Sequence, residues 1–203
     1  MRLKIGRGIT DDLPEGQNVE SRSIILAFSG SIGSGKSTLS TGVAQGLGWP
    51  QTSFGSYIRA IAAQNDLDTT SREVLQQVGA DLVANGWEQF CSAVLAQAGW
   101  QAGMSLVVDG LRHVEALETM RALTHSSNVL LVYVALSRSE HLSRLTLMGI
   151  DNPARQRRID THSTEIQVAT RLPSMADLVV DGARSADELI NEILAWTRRA
   201  TAI

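Results

Sequence analysis

The stretch from Ile24 to Leu39 constrains this chain more than any other. An apolar run, Ile24-Ile25-Leu26-Ala27-Phe28, leads into Ser29-Gly30-Ser31-Ile32-Gly33-Ser34-Gly35-Lys36-Ser37-Thr38, and a helix-compatible run follows. Gly30 and Gly35-Lys36-Ser37 satisfy G-x-x-x-x-G-K-S/T without mismatch, in the strand–loop–helix context that a phosphate-binding P-loop requires. Glycine has no Cβ, so the chain at Gly30, Gly33 and Gly35 can curl through positive φ and approach a phosphate closely. Main-chain N–H groups from Gly33 to Thr38 then converge on one point, where the helix N-terminus adds partial positive charge. Lys36 is placed to neutralise β and γ phosphates, the Ser37 hydroxyl to hold Mg²⁺, and Thr38 to offer the α-phosphate one more donor. The expected triphosphate-binding set is Gly30, Ser31, Ile32, Gly33, Ser34, Gly35, Lys36, Ser37 and Thr38.

At 203 residues the chain has room for one α/β domain with a full core and little room for a second. A hydrophobic content of 43% and a charged content of 19% exclude general disorder. The formal net charge of −3 and a pI near 5.8 argue against a nucleic-acid surface. The one cysteine, Cys91, permits no internal disulfide and fits a reducing, cytoplasmic compartment. Phe90, Val94 and Leu95 share a helix face beside it, so Cys91 reads as a small packed hydrophobe. Residues 1–9 lack the apolar segment of a signal peptide, and the longest apolar run, Val129 to Leu136, is too short to cross a bilayer. His113, His125, His141 and His162 stand apart, without zinc-ligand spacing.

Residues 1–23 are polar and turn-rich, and read as an N-terminal arm or as an added edge strand through Leu3 and Ile5. From Ile24 the pattern alternates. A strand to Ser29 precedes a helix Lys36–Leu47, closed by Gly46, Gly48 and Pro50. A short strand Gln51–Ser53 and a helix Phe54–Gln64 follow. Thr70 and Glu73 suggest a capping box for a helix through Ala84, with Val74, Leu75, Val78 and Leu82 on one face. Another helix spans Trp87–Ala98. Ser105–Asp109 reads as a buried strand ending in a carboxylate, Val114–Leu123 as a helix and Val129–Leu136 as a central strand. Ser137 with Glu140 caps a helix Ser139–Met148. A polar, arginine-rich segment runs from Gly149 to Thr161, then a short helix near Thr164–Arg171, a strand Asp177–Val180, and a terminal helix capped by Ser185 and Glu188. Its apolar face is Leu189, Ile190, Ile193 and Leu194. Strands alternating with helices imply a parallel sheet of about five strands with helices on both faces, the three-layer P-loop NTPase fold. Ligands in such sheets sit beyond the carboxyl ends of the strands, where Gly30 and Asp109 both fall.

No Asn-Lys-x-Asp guanine motif is present, no Asp-x-x-Gly follows a strand, and no Leu-Ser-Gly-Gly-Gln signature occurs. What remains is a set of arginines near the expected crevice: Arg59 after the second strand, Arg112 after the third, and Arg155, Arg157 and Arg158 in the late polar segment. Moving a phosphoryl group between two anions needs cations on both and exclusion of water. Arginine suits the task because its planar fork grips phosphate oxygens in pairs.

Four stretches carry a resemblance: Gly30–Thr38, Phe54-Gly55-x-x-Ile58-Arg59, Arg72-x-x-Leu75-Gln76-x-x-Gly79 and Asp109-Gly110-Leu111-Arg112-His113-x-Glu115. Together they resemble P-loop nucleoside monophosphate kinases, in particular the deoxynucleotide monophosphate kinase and archaeal adenylate-kinase-like branches. Asp160-Thr161-His162-Ser163-x-Glu165 and Ala176-Asp177-Leu178-Val179-Val180 are similar to the tail of that group, the latter also to dephospho-CoA kinases. The resemblance implies acceptor-binding helices over about 54–98 and a short helical lid over about 149–163, within a kinase domain spanning 24–203. It implies that Gly55 and Arg59 face an acceptor phosphate, with Arg72 and Gln76 beside the acceptor nucleotide. It implies that Arg112 binds the acceptor phosphate and that Asp109 acts on Mg²⁺ through water or orients the acceptor. Arg144 is expected to flank the donor base, and Arg155 and Arg158 to clamp the moving phosphoryl group. Lys36, Asp109, Arg112, Arg155 and Arg158 are then the catalytic set, and Ser37 with Asp109 the metal set. The lid is short, carries no zinc cysteines and lacks a clean Arg-x-Asp-Asp. The expectation is ATP- and Mg²⁺-dependent transfer to a nucleotide-like acceptor by a monomer or homodimer, with neither nucleic acid nor membrane as partner. The rivals are dephospho-CoA or another small metabolite as acceptor, and an NTP-binding regulatory module with slow hydrolysis.

Overall fold

The computed structural model describes residues 23–150, 152 and 163–201, with side chains of 163–165 excepted. Five parallel strands form one sheet: β1 (Ile24–Gly30), β2 (Gln51–Ser53), β3 (Leu106–Asp109), β4 (Asn128–Ala135) and β5 (Leu178–Asp181). Their order is β2-β3-β1-β4-β5, so β1 lies at the centre. Every residue of β1 is buried, as both-face burial demands of a strand without polar alternation. Side chains alternate between the faces. Ile24, Leu26 and Phe28 pack with Val107, Val132 and Val134 beneath α1 (Lys36–Leu47) and α9 (Ala186–Thr201). Ile25 and Ala27 pack with Leu106, Val108 and Leu131 on the other face. That face is covered by α2 (Phe54–Gln64), α4 (Trp87–Gln97) and α5 (Val114–Leu123), with α7 (Ser163–Thr170) and α8 (Leu172–Met175) at its flank. Helix α3 (Arg72–Ala84) stands against α2 and α4, and α6 (Arg138–Leu147) follows β4. A parallel sheet between two helical layers, with a P-loop after its central strand, is the three-layer P-loop NTPase fold.

Several local expectations hold in detail. Ser137 and Glu140 form a reciprocal capping box, and the Ser185 hydroxyl accepts from the Glu188 N–H at 3.3 Å. Cys91 is fully buried among Phe90, Val94 and Leu95, and burial pushes its thiol up to about 12, which keeps it protonated and unreactive. Other expectations need correction. The cap of α3 is Ser71, not Thr70: the Ser71 hydroxyl accepts from the Val74 N–H, while Thr70 donates through both its N–H and hydroxyl to Asp68 Oδ1. The competing Asx turn takes Thr70 out of the helix. Leu75 lines a cavity, and Val78 is the buried residue of that helix. Gly46 does not end α1; Gly48 does, at φ 67°, and Gly46 seats Leu194 of α9. A Cβ on Gly46 would come within 2.7 Å of Leu194 Cδ1, so the α1–α9 seam depends on its absence. All of the expected arm over 1–23 except Ser23, and most of the expected lid, lie outside the described residues.

Candidate active site

The carboxyl ends of β1 and β3 are adjacent in the sheet, yet their chains leave in different directions. After β1 the chain turns into the P-loop and α1; after β3 it runs through residues 110–113 to α5. This is the crevice that open parallel sheets offer to ligands. In the P-loop, Gly30, Gly33 and Gly35 have φ of 150°, 76° and 88°. A Cβ at Gly30 would come within 2.7 Å of the Val134 carbonyl oxygen, so the loop also needs glycine there for space. Gly35 serves as N-cap of α1 without a side-chain cap bond, leaving the first-turn N–H groups to the loop's concavity. Lys36 folds back over the loop, its Nζ donating to the Ser31 carbonyl at 3.3 Å. Ser34 is buried, and its hydroxyl has no partner. Ile32 packs against Leu145 and Ile150, which ties the loop to the end of α6.

Ser37 and Thr38 lie at the exposed rim of the loop. The Ser37 hydroxyl donates to Asp109 Oδ2 at 2.6 Å. Asp109 is 8% exposed and its second oxygen, Oδ1, is buried without a partner. A buried carboxylate oxygen left unsatisfied is costly in a closed fold. Next to a hydroxyl whose hydrogen is already committed, it makes an oxygen-rich pair that suits a hard divalent cation. The donor set therefore fits Mg²⁺. Among the described residues no cluster of three or more His, Cys, Asp or Glu could hold a metal by itself.

Arg144 reaches from α6 across the back of the loop. Its guanidinium donates to the Gly33 carbonyl at 3.1 Å and to the Gly182 carbonyl. The turn after β5 is thereby held against the P-loop, so closely that a Cβ on Gly182 would lie 3.1 Å from the Ser34 carbonyl oxygen. No pattern in the chain singles out Gly182 for this place.

On the other side of Asp109 lies a cavity of about 690 Å³ between α2, α3, α4 and the loop before α5. Gly55, Arg59, Arg72, Gln76 and Arg112 all line it, although they come from three separate segments. The loop that carries Arg112 is anchored: the Leu111 N–H donates to the Phe28 carbonyl at 3.0 Å, and the Leu111 side chain is fully buried. Gly110 turns the chain at φ 80°. His113, the N-cap of α5, makes no side-chain capping bond; the Val114 N–H instead donates to Gln167 Oε1 of α7 at 3.0 Å. The apolar part of the lining was not foreseen. Phe54, Trp87 and Phe90 face the cavity, with the Phe54 and Phe90 rings edge-to-face at 5.2 Å and the Trp87 ring 5.0 Å from that of His113. Their density between residues 54 and 90, in a chain with only 4% aromatic residues, is the signal that could have found them. Arg155 and Arg158 lie outside the described residues.

Solved structures share this fold at low sequence identity. The crystal structure of APE1195 matches with a TM-score of 0.58 at 17% identity, over 89% of this chain and 98% of that one. A provisionally assigned kinase from Chloroflexus aurantiacus matches with a TM-score of 0.55 at 20% identity, over 88% and 98%. An uncharacterised protein from Eubacterium ventriosum matches at 0.53 and 14% identity, over 86% and 98%. No protein of curated function matches by sequence. A family model for an AAA domain (AAA_18) matches residues 26–167, more than half of the chain, and the chain belongs to that family.

Proposed function

We propose that the protein is a phosphotransferase that uses ATP and Mg²⁺ to phosphorylate a nucleotide-like acceptor, a nucleoside or deoxynucleoside monophosphate. The observation that carries this reading is the segment Asp109–Arg112. Asp109 holds the P-loop serine, and three residues later Arg112 lines the helical cavity. One short loop thus links a triphosphate site to a pocket with three arginines, as transfer between two anions requires. The aromatic wall suits a flat base at the far end of the same pocket.

Each residue then has a physical task. The P-loop N–H groups and the Lys36 ammonium hold the donor's phosphates and take up charge as it shifts toward the leaving oxygen. Donating its hydrogen to Asp109 leaves the Ser37 oxygen lone pairs directed away from the carboxylate, so Ser37 and Asp109 together would hold Mg²⁺. When bound, that ion neutralises charge between the β and γ phosphates. Arg59 and Arg112 hold the acceptor phosphate in line with the transferred group, which removes orientational entropy from the step. Arg72 and Gln76 position the acceptor's nucleoside part. Arg144 keeps the loop's shape and flanks the donor base. Arg155 and Arg158, outside the described residues, would add positive charge to the transferred phosphoryl group.

The test is ADP release from ATP and Mg²⁺ with a panel of nucleoside monophosphates, dephospho-CoA and no acceptor. Acceleration by a monophosphate, lost in Lys36→Ala, is the expected result. ATP consumption that no small acceptor accelerates would replace the reading with that of a nucleotide-binding regulatory module.

A further inference from the structure

One residue of the cavity wall is a glycine that its own backbone does not require. Gly79 sits in the interior of α3, and its φ is not among the positive values that call for glycine. Glycine weakens a helix interior relative to alanine, so its presence carries a cost. A Cβ there would meet only Ile58 Cδ1, at 3.3 Å, the end of a half-buried side chain that also lines the cavity. Gly46 in α1 is different, since a Cβ would press to within 2.7 Å of Leu194 in a closed helix–helix seam. Gly79 instead opens onto the cavity, beside Ala80 and on the same lining as Trp87 and Phe90. At Gly79 the α3 wall of that cavity carries no side chain.

We infer that Gly79 sets the depth of a slot for the acceptor's planar ring system, and so controls which ring size the enzyme accepts. The inference rests on the acceptor reading of this cavity and assigns to it a specificity-determining residue. A side chain at position 79 fills the space that the second ring of a purine needs and leaves a single pyrimidine ring less affected. A glycine kept only for helix packing would, when replaced, penalise both ring sizes alike.

The experiment measures KM and kcat for AMP, GMP, CMP and UMP with the wild type, Gly79→Ala and Gly79→Leu, and the Tm of each. Gly79→Leu is expected to raise KM for the purine monophosphates roughly tenfold more than for the pyrimidine ones, with a smaller bias in the same direction for Gly79→Ala. The alanine variant should hold its Tm or gain about 2–4 °C, because the helix improves. Should the leucine variant fail to fold, the smaller purine-over-pyrimidine bias of the alanine variant carries the test. Equal penalties on both ring sizes, or none, overturn the inference whatever happens to Tm. A wild type that turns over none of the four, nor dAMP, dGMP, dCMP or dTMP, defeats the proposed function and this inference with it. A wild type that does so while neither variant discriminates defeats the inference alone.

Discussion

The P-loop and the helical cavity meet at Asp109 but are assembled differently. In the P-loop, the residues expected to hold the phosphates are consecutive, from Gly30 to Thr38, and the turn is made by local backbone geometry at three glycines. In the cavity, Gly55 and Arg59 come from α2, Arg72 and Gln76 from α3, and Arg112 from a loop beyond β3. Nothing local brings those five together. They converge because α2 and α3 pack on α4 and because Leu111 pins the Arg112 loop to β1. A site written in one stretch fails all at once when one atom is wrong; a site gathered from several helices should lose function in increments.

Lys36→Ala tests the first half of that contrast most strongly. Removing the ammonium should lower phosphoryl transfer roughly a thousandfold while the circular dichroism spectrum and Tm stay unchanged. Activity near that of the wild type would break the comparison. Asp109→Asn comes next. It keeps the size of the side chain but weakens its hold on Ser37, and the Mg²⁺ concentration for half-maximal activity should rise on the order of tenfold to a hundredfold. An unchanged Mg²⁺ titration would remove Asp109 from the metal set.

Arg112→Ala probes the cavity. KM for the acceptor should rise about tenfold, the worth of a charge-assisted hydrogen bond, with KM for ATP unaltered. A rise in both would mean that the two regions are not separable as described. Ser137→Ala is the mildest. It deletes the capping box of the helix that carries Arg144, at about 1 kcal/mol of stability, visible in thermal unfolding as a Tm loss of about 2–4 °C. If activity fell by more than Tm explains, the α6 strut would matter to the P-loop beyond holding the fold.

The bounds of α1, β2, α2 and α5 follow from the pattern of apolar residues and from Gly48, Pro50 and Ser53, because each is decided by residues within one turn of its ends. Thr70 misled because two hydroxyl residues stand side by side before α3, and Asp68 captures the first. The short α8 escaped notice because four residues carry no periodicity. Arg59 and Arg112 could be picked out as residue types that suit an anion, and Arg72 and Gln76 from the family resemblance of their stretch. Their sharing one cavity rests on helix packing, which no spacing along the chain expresses. Gly182, whose carbonyl takes the Arg144 guanidinium just beyond the end of β5, had no local signature at all.

By itself, then, the order of residues determined the P-loop, the parallel alternation of strands and helices, and the buried, inert Cys91. Each depends on contacts between near neighbours or on whether a segment is apolar enough to be covered on both faces. Only the tertiary structure decided that Asp109 keeps one oxygen on Ser37 and the other buried without a partner. It alone decided that a pocket lined by Phe54, Trp87 and Phe90 opens next to Gly110, one residue beyond that carboxylate, and that Gly79 is part of its wall. Those depend on distances between residues far apart in the chain, which are settled when the helices close-pack on the sheet and not before.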